Sequence, residues 1–253
     1  QLDILFKYGF FLIYLLAGCV KTPKILFQDP VDTKNKRISI QEKKIFHFEE
    51  SGIYFSNDFQ GARLNNVIEK NDSTFSILIL PENTPINPSP FYAFKVWSRS
   101  PKNIYLEFNY PDGYKHRYIP KILLDDNWII SDSVSFSQLD NKSTLKLSVD
   151  NKSKIISGQE LNSSDSVYDW VNELINGKES FVNFKKIGKS KLKRPFMVID
   201  IYKGDPEKKP VVVLITRQHP PEVTGYFAFK SYLSTILNEN NLSSAFLEKY
   251  RVL

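Results

Sequence analysis

Two side chains that commonly bind metal ions, His219 and Glu222, stand three residues apart in the segment His219-Pro220-Pro221-Glu222. Imidazole and carboxylate groups together suit zinc, which forms short bonds to nitrogen and oxygen donors. The two prolines restrict the backbone, so the segment loses less entropy when it binds a metal. A surface histidine beside a glutamate in the first turn of a helix gives the same spacing by chance. The spacing alone therefore leaves both interpretations open.

The elements on either side of this segment favour a binding site. Residues 210–216 are a continuous apolar run, which predicts a strand buried on both faces. Residues 222–238 predict a helix. Its inward-facing residues are predicted to be Phe227, Phe229, Tyr232, Leu233 and Ile236. Because ligands of an α/β sheet gather where strands end and helices begin, we predict that His219 and Glu222 are metal ligands. The helix dipole would stabilise the Glu222 carboxylate.

The segment upstream of this site predicts a helix followed by two strands. Ser164-Asp165 has the chemistry of an N-cap, and Asn176-Gly177 has that of a helix end. The strands are predicted over residues 181–187 and 195–202. The basic run between them, Lys189 to Arg194, is interpreted as a solvated turn. It lacks an aromatic platform or a nucleic-acid motif, so we predict no nucleic-acid partner.

Residues 38–160 show short alternating runs separated by turn residues, with no convincing helix. Ile104, Leu106 and Phe108, for example, fall on one face of a single run. This spacing of strands and turns predicts an antiparallel β-sandwich. The clearest strands are predicted at residues 52–56, 74–80, 92–97, 103–110, 128–130 and 144–149.

The N-terminal segment contains the only cysteine of the chain, directly after an apolar run over residues 8–18. The run is short for a transmembrane helix and has the length of a secretory signal. Leu16-Ala17-Gly18-Cys19 resembles a bacterial lipobox. We therefore predict a signal peptide over residues 1–18, lipidation of Cys19 with attachment to the membrane, and a tether over residues 19–37. A buried helix in which Cys19 is a small apolar residue is the alternative.

Residues 165–253 resemble the opening of a zinc carboxypeptidase catalytic domain, closest to its cytosolic-carboxypeptidase-like branch. Four segments carry this resemblance: Tyr168-Asp169-Trp170, Ile187-Gly188-Lys189-Ser190, Arg194-Pro195 and Arg217-Gln218-His219-Pro220-Pro221-Glu222. The preceding region resembles the β-sandwich that this branch carries in front of its catalytic domain. Its matching segments are residues 110–114, His116-Arg117-Tyr118, Pro120-Lys121 and residues 125–128.

The resemblance implies Zn²⁺ as cofactor, with His219 and Glu222 as the first two zinc ligands. Arg217 is a candidate to contact the substrate or to support the ligands, and a solvated residue that closes the strand is the alternative. The implied reaction is hydrolysis of C-terminal peptide bonds by a metal-activated water, with a peptide or protein C-terminus as substrate. The family's third ligand and general base lie far downstream, and His47 and His116 are not expected to replace them. We therefore expect this chain to be a truncated, inactive fragment of the enzyme.

These observations combine into one predicted organisation. The chain is predicted to have two domains: an antiparallel β-sandwich at residues 38–160 and the incomplete start of an α/β zinc-carboxypeptidase domain at residues 161–253. The predicted location is the bacterial cell envelope, anchored by lipid, with a secreted or periplasmic protein as the alternative. The alternative function is a non-catalytic envelope binding module that carries a degenerate hydrolase domain.

Overall fold

Alternating residues between positions 45 and 157 form short strands, as their pattern predicts. The computed structural model of this protein describes residues 32, 35, 39–81, 91–139 and 142–253, and Cys19, the predicted signal peptide and most of the predicted tether lie outside these ranges. The described strands of this region are β1 (Ile45–Phe48), β2 (Ile53–Ser56), β3 (Asn66–Asn71), β4 (Thr74–Leu78), β5 (Ala93–Ser98), β6 (Lys102–Asn109), β7 (Lys121–Leu124), β8 (Asn127–Ile130), β9 (Phe136–Leu139), β10 (Lys142–Val149) and β11 (Lys154–Ser157).

These strands form two sheets, with orders β1-β2-β5-β11-β7-β8 and β3-β4-β6-β10-β9. One hydrophobic cluster receives side chains from both sheets. The face predicted for β6 is confirmed, since Ile104, Leu106 and Phe108 are all buried. The pairing is not purely antiparallel, because β4 and β6 run parallel. After β4 the chain crosses to the other sheet to form β5, and it then returns to the sheet of β4 to form β6. This crossover allows β6 to run in the same direction as β4.

The third sheet belongs to the C-terminal part of the described chain and has the order β12-β13-β15-β14. Arg37–Leu253 forms one compact unit, so the predicted boundary at residue 160 stays a prediction. Among the described residues, no helix is long and apolar enough to cross a membrane. The remaining elements are α1 (Ser164–Ile175), β12 (Val182–Lys189), β13 (Pro195–Ile201), a short 3₁₀ turn (Pro206–Lys208), β14 (Val211–Val212), α2 (Val223–Ile236), α3 (Asn241–Lys249) and β15 (Arg251–Val252).

The N-cap of helix α1 is Ser163, one residue before the predicted cap, because the Ser163 side chain accepts the Ser166 backbone N–H. Gly177 beyond its end has φ +76°, a conformation that glycine adopts at little steric cost. Trp170 packs against the hydrophobic core beside the third sheet. The Tyr168 hydroxyl donates to the Pro195 carbonyl at 3.2 Å. These contacts attach α1 to the β12–β13 hairpin.

The basic run between β12 and β13 forms an exposed turn, as predicted. Ser190 N donates to the Arg194 carbonyl at 2.8 Å, and Lys193 takes a φ of +61°. The charged side chains of the run are exposed to solvent. Water and salt therefore screen the charge repulsion within the run.

Two predictions about the apolar segments around the site are wrong. The run at residues 210–216 is not buried on both faces: only Val211–Val212 is in the sheet, and Val213 and Ile215 are 61 % and 72 % exposed. Val212 and Leu214 pack against the core while the alternate positions face solvent, so the structure covers only one face of the run. Phe227 is also exposed, because Tyr226 takes the inward position of the helix at this turn.

Candidate metal centre

His219 and Glu222 lie in the turn between β14 and α2. Glu222 is the N-cap residue of α2, and its backbone N–H donates to the His219 carbonyl at 3.2 Å. Val223 N donates to the Pro221 carbonyl at 2.9 Å. Proline has no N–H, so these two bonds close a turn whose central residues cannot donate. The turn thus holds both side chains at the start of the helix.

The two candidate ligands are hydrogen-bonded to each other. His219 Nδ1 lies 2.5 Å from Glu222 Oε1, and Glu222 Oε2 accepts the His219 backbone N–H at 3.1 Å. The side chains are 46 % and 47 % exposed, so solvent and solutes reach both. The hydrogen bond from His219 is the largest cause that lowers the pKa of the Glu222 carboxyl. The carboxylate is therefore ionised at neutral pH, the form that binds a metal.

The donor chemistry of this pair fits two positions of a zinc site. Catalytic zinc takes three protein ligands and a water. Among the residues that the structure describes, no group of three or more His, Cys, Asp or Glu side chains could hold a metal ion. The other described histidines lie elsewhere: His47 stacks on Tyr54 with ring centroids 4.3 Å apart, and His116 is buried in the core between the first two sheets.

Arg217 connects the turn to the segment before α1. Its Nη1 donates to the Asn162 carbonyl at 2.8 Å and its Nη2 to the Pro220 carbonyl at 3.1 Å. The guanidinium also lies 5.7 Å from the Tyr226 ring centroid. Burial lowers the pKa of this guanidinium, although arginine stays charged at any ordinary pH. Arg217 therefore bonds to the His219–Glu222 turn, and its roles in orienting the ligands or contacting a substrate stay predictions.

An open pocket of ≈ 420 Å³ lies beside the turn, and Arg217, Glu222 and Gly225 are among its lining residues. A Cβ atom at Gly225 would meet nothing within 4 Å, so the helix start leaves this space open. Sequence reasoning did not find Asn162 or Tyr226 as supports of the turn. Asn162 carries no local signal, because it accepts through its backbone carbonyl from Arg217, 55 residues away.

The region around this turn matches a known protein family. Residues 167–253 match the zinc carboxypeptidase family. The match begins inside α1 and includes the His219–Glu222 turn. The comparison with curated proteins returns no significant match.

Solved structures of carboxypeptidases share the fold at low sequence identity. A candidate carboxypeptidase A from Shewanella denitrificans OS-217 is 19 % identical with a TM-score of 0.66, and the match covers 78 % of this chain and 53 % of that one. A metallo-carboxypeptidase from Burkholderia cenocepacia is 12 % identical with a TM-score of 0.65, covering 79 % and 54 %. One from Pseudomonas aeruginosa, in complex with (2-guanidinoethylmercapto)succinic acid, is 13 % identical with a TM-score of 0.60, covering 78 % and 53 %. The chain thus spans about half the length of these structures.

Proposed function

We propose that this chain carries the first two zinc ligands, His219 and Glu222, of a zinc-dependent metallocarboxypeptidase that acts on peptide or protein C-termini. The observation that carries the proposal is the direct contact of His219 Nδ1 with Glu222 Oε1 at 2.5 Å, in a strand-to-helix turn inside the matched region. Zinc bound there would polarise the scissile carbonyl and lower the pKa of its bound water. Among the described residues, no third His, Cys, Asp or Glu side chain joins the pair to complete a metal site.

The remaining features extend this proposal. We assign the chain to the cytosolic-carboxypeptidase-like branch, with the first two sheets as a β-sandwich domain in front of the catalytic domain. The hydrophobic cluster that both sheets share supports the sandwich. The Leu16-Ala17-Gly18-Cys19 sequence supports lipid anchoring in the bacterial cell envelope.

Zinc titration of the full chain tests the ligand assignment. We expect the wild-type chain to bind one zinc ion, and His219→Ala and Glu222→Ala each to weaken binding by about tenfold or more, because each removes one of two donors. Competition with a chromogenic zinc chelator measures the affinity. His47→Ala and Glu239→Ala are the matched controls, since both residues are exposed and lie outside the turn.

Unchanged zinc affinity in both ligand variants would remove the site. If only the two ligand variants lose zinc affinity and the controls keep it, the enzyme is supported over the non-catalytic module. A degenerate hydrolase domain does not require a bound metal.

Replacement of Arg217 by alanine tests its positioning role. The variant loses both bonds to the Asn162 and Pro220 carbonyls, so we expect zinc affinity to fall by about tenfold, as for other residues that orient ligands. Arg194→Ala, an exposed arginine in the β12–β13 turn, should bind zinc like the wild type. Equal affinities for the Arg217 and Arg194 variants would show that the turn keeps its geometry without the guanidinium.

A further inference from the structure

The free end of the β12–β13 hairpin, residues 186–196, carries positive charge only. No aspartate or glutamate occurs between residues 180 and 199. Five cations lie in this hairpin tip and all are exposed: Lys186, Lys189, Lys191, Lys193 and Arg194. Lys191 has a partner, whereas the other four form no ion pair with a described carboxylate. The tip is therefore a compact cationic surface whose charge the described part of the chain leaves largely unneutralised.

Three large apolar side chains share the hairpin tip. Ile187, Leu192 and Phe196 are 63 %, 50 % and 60 % exposed. Gly188 pairs with Phe196 across the hairpin, and a shift in register after Lys186 leaves Ile187 without a partner residue in β13. Single exposed apolar residues need no explanation, but a group of them rimmed by charge marks an interaction surface.

Hydrogen bonds hold the tip in one shape. Lys193 N donates to the Ser190 carbonyl at 2.8 Å, and Ser190 Oγ accepts the Arg194 backbone N–H at 3.2 Å. Further along the hairpin, Lys185 Nζ lies 2.7 Å from the buried Asp200 carboxylate. The tip therefore presents its cations and apolar side chains in a preformed arrangement, which lowers the entropy lost on binding.

The combination of the two kinds of side chain selects the partner. Single-stranded nucleic acid would attract the cations, but it binds best where successive aromatic rings stack on its bases, and Phe196 is the only aromatic residue of the tip. An anionic lipid bilayer matches both kinds of side chain. Its headgroup phosphates attract lysine and arginine, and the boundary between headgroups and acyl chains accepts apolar side chains.

We propose that the β12–β13 hairpin tip docks on an anionic lipid bilayer, with Leu192 and Phe196 entering the headgroup boundary and the surrounding cations pairing with lipid phosphates. This inference goes beyond the proposed peptidase function and requires neither the zinc site nor lipidation of Cys19. The hairpin lies in the region that matches zinc carboxypeptidases, so docking would hold that region at the membrane surface.

Vesicle partitioning of the full chain with Cys19→Ser tests the proposal, because this variant cannot be lipidated at its only cysteine. One set of vesicles is phosphatidylcholine, and the other contains equal parts of phosphatidylcholine and phosphatidylglycerol. Binding through the apolar run at residues 8–18 would be common to both sets, so the ratio of the two affinities reports the cations. We expect a preference for the anionic vesicles on the order of a hundredfold, weakened by added salt.

Charge variants show whether the tip causes this preference. Lys189→Gln combined with Arg194→Gln should lower the preference by about twentyfold, because each cation near an anionic membrane contributes about fivefold to binding. Lys146→Gln combined with Lys152→Gln removes two exposed cations elsewhere in the chain and should keep the preference. All four side chains are exposed, so we expect the fold to be retained.

A fluorescent label shows whether the apolar side chains enter the bilayer. In the Cys19→Ser chain, Leu192→Cys is the only cysteine and can carry an environment-sensitive nitrobenzoxadiazole dye. We expect its emission to shift to the blue on anionic vesicles. The same dye at Val134→Cys, a position 82 % exposed in the loop before β9, should keep its emission in water. Phe196→Ser should weaken binding to anionic vesicles by about fivefold, whereas Val134→Ser should not.

Three results would overturn the proposal: equal affinity for the two sets of vesicles, an anionic preference that survives the Lys189 and Arg194 changes, or a dye at position 192 that stays in water. A fourth is tighter binding to a single-stranded oligoribonucleotide than to anionic vesicles, dependent on Lys189 and Arg194 but not on Phe196. The tip would then be a nucleic-acid site rather than a lipid site.

Discussion

Replacement of Asp200 by alanine is expected to lower the free energy of unfolding by about 1–3 kcal/mol, because it removes the charge-assisted bonds that two partly exposed cations share. Asp200 is 1 % exposed in β13. Its carboxylate accepts two bonds from Arg251 at 2.8 and 2.9 Å and one from Lys185 at 2.7 Å. These bonds, those from Arg251 foremost, hold the pKa of the Asp200 carboxyl below its usual range. One side chain thus joins β12, β13 and β15.

Chemical denaturation followed by circular dichroism measures this effect. Glu49→Ala is the control, because the Glu49–Arg99 pair is exposed and 3.6 Å apart, and its loss should leave stability nearly unchanged. A comparable small loss for Asp200→Ala would mean that water replaces the carboxylate, and that the third sheet does not depend on it. The Asp200→Ala and Arg251→Ala variants should not be additive, since both break the same contact.

Acidification from pH 7 to pH 4 is expected to remove about 3 kcal/mol of stability through His116 alone. Burial lowers the pKa of His116 from 6.5 to about 4. The unfolded chain therefore takes up a proton as the pH falls through 6.5, while the folded chain resists protonation until the pH approaches 4. The stabilising contribution is fully present above pH 6.5 and is lost as the pH falls from there towards 4.

The difference between the wild type and His116→Gln isolates this contribution. Carboxyl groups with lowered pKa values, such as Asp200 and Glu222, also destabilise the fold in acid. Their effect is the same in both proteins, so it cancels in the difference between the two unfolding free energies. Unfolding free energies at pH 7, 5.5 and 4 should show the wild-type advantage shrinking as the pH falls. His47→Gln, with an exposed imidazole, should follow the wild type at every pH. A constant difference between wild type and His116→Gln would contradict the assignment of the titration to His116.

Local chemistry explains the features that sequence reasoning found. The Ser163–Ser166 cap and Gly177 bound α1 within one residue of the predicted limits, because capping depends on side chains adjacent to the backbone they satisfy. Strand β6 faces the core with the predicted residues, because side chains alternate along a strand. The short His219–Glu222 spacing also predicted their proximity, which the turn between β14 and α2 provides. Whether these two residues bind zinc stays a prediction.

The sequence by itself therefore determined the type of most elements, the ends of α1 and the contact within the His219–Glu222 turn, all of which involve residues within a few positions of one another. Only the tertiary structure decided that β14 lies at a sheet edge with Val213 and Ile215 exposed, that Asp200 pairs with Arg251, and that Arg217 bonds to Asn162. The Asp200–Arg251 pair is 51 positions apart and the Asn162–Arg217 pair 55 positions apart. The exposure of Val213 and Ile215 depends on which elements pack beside them. The physical reason is that such contacts come from the packing of whole elements, which no local pattern encodes.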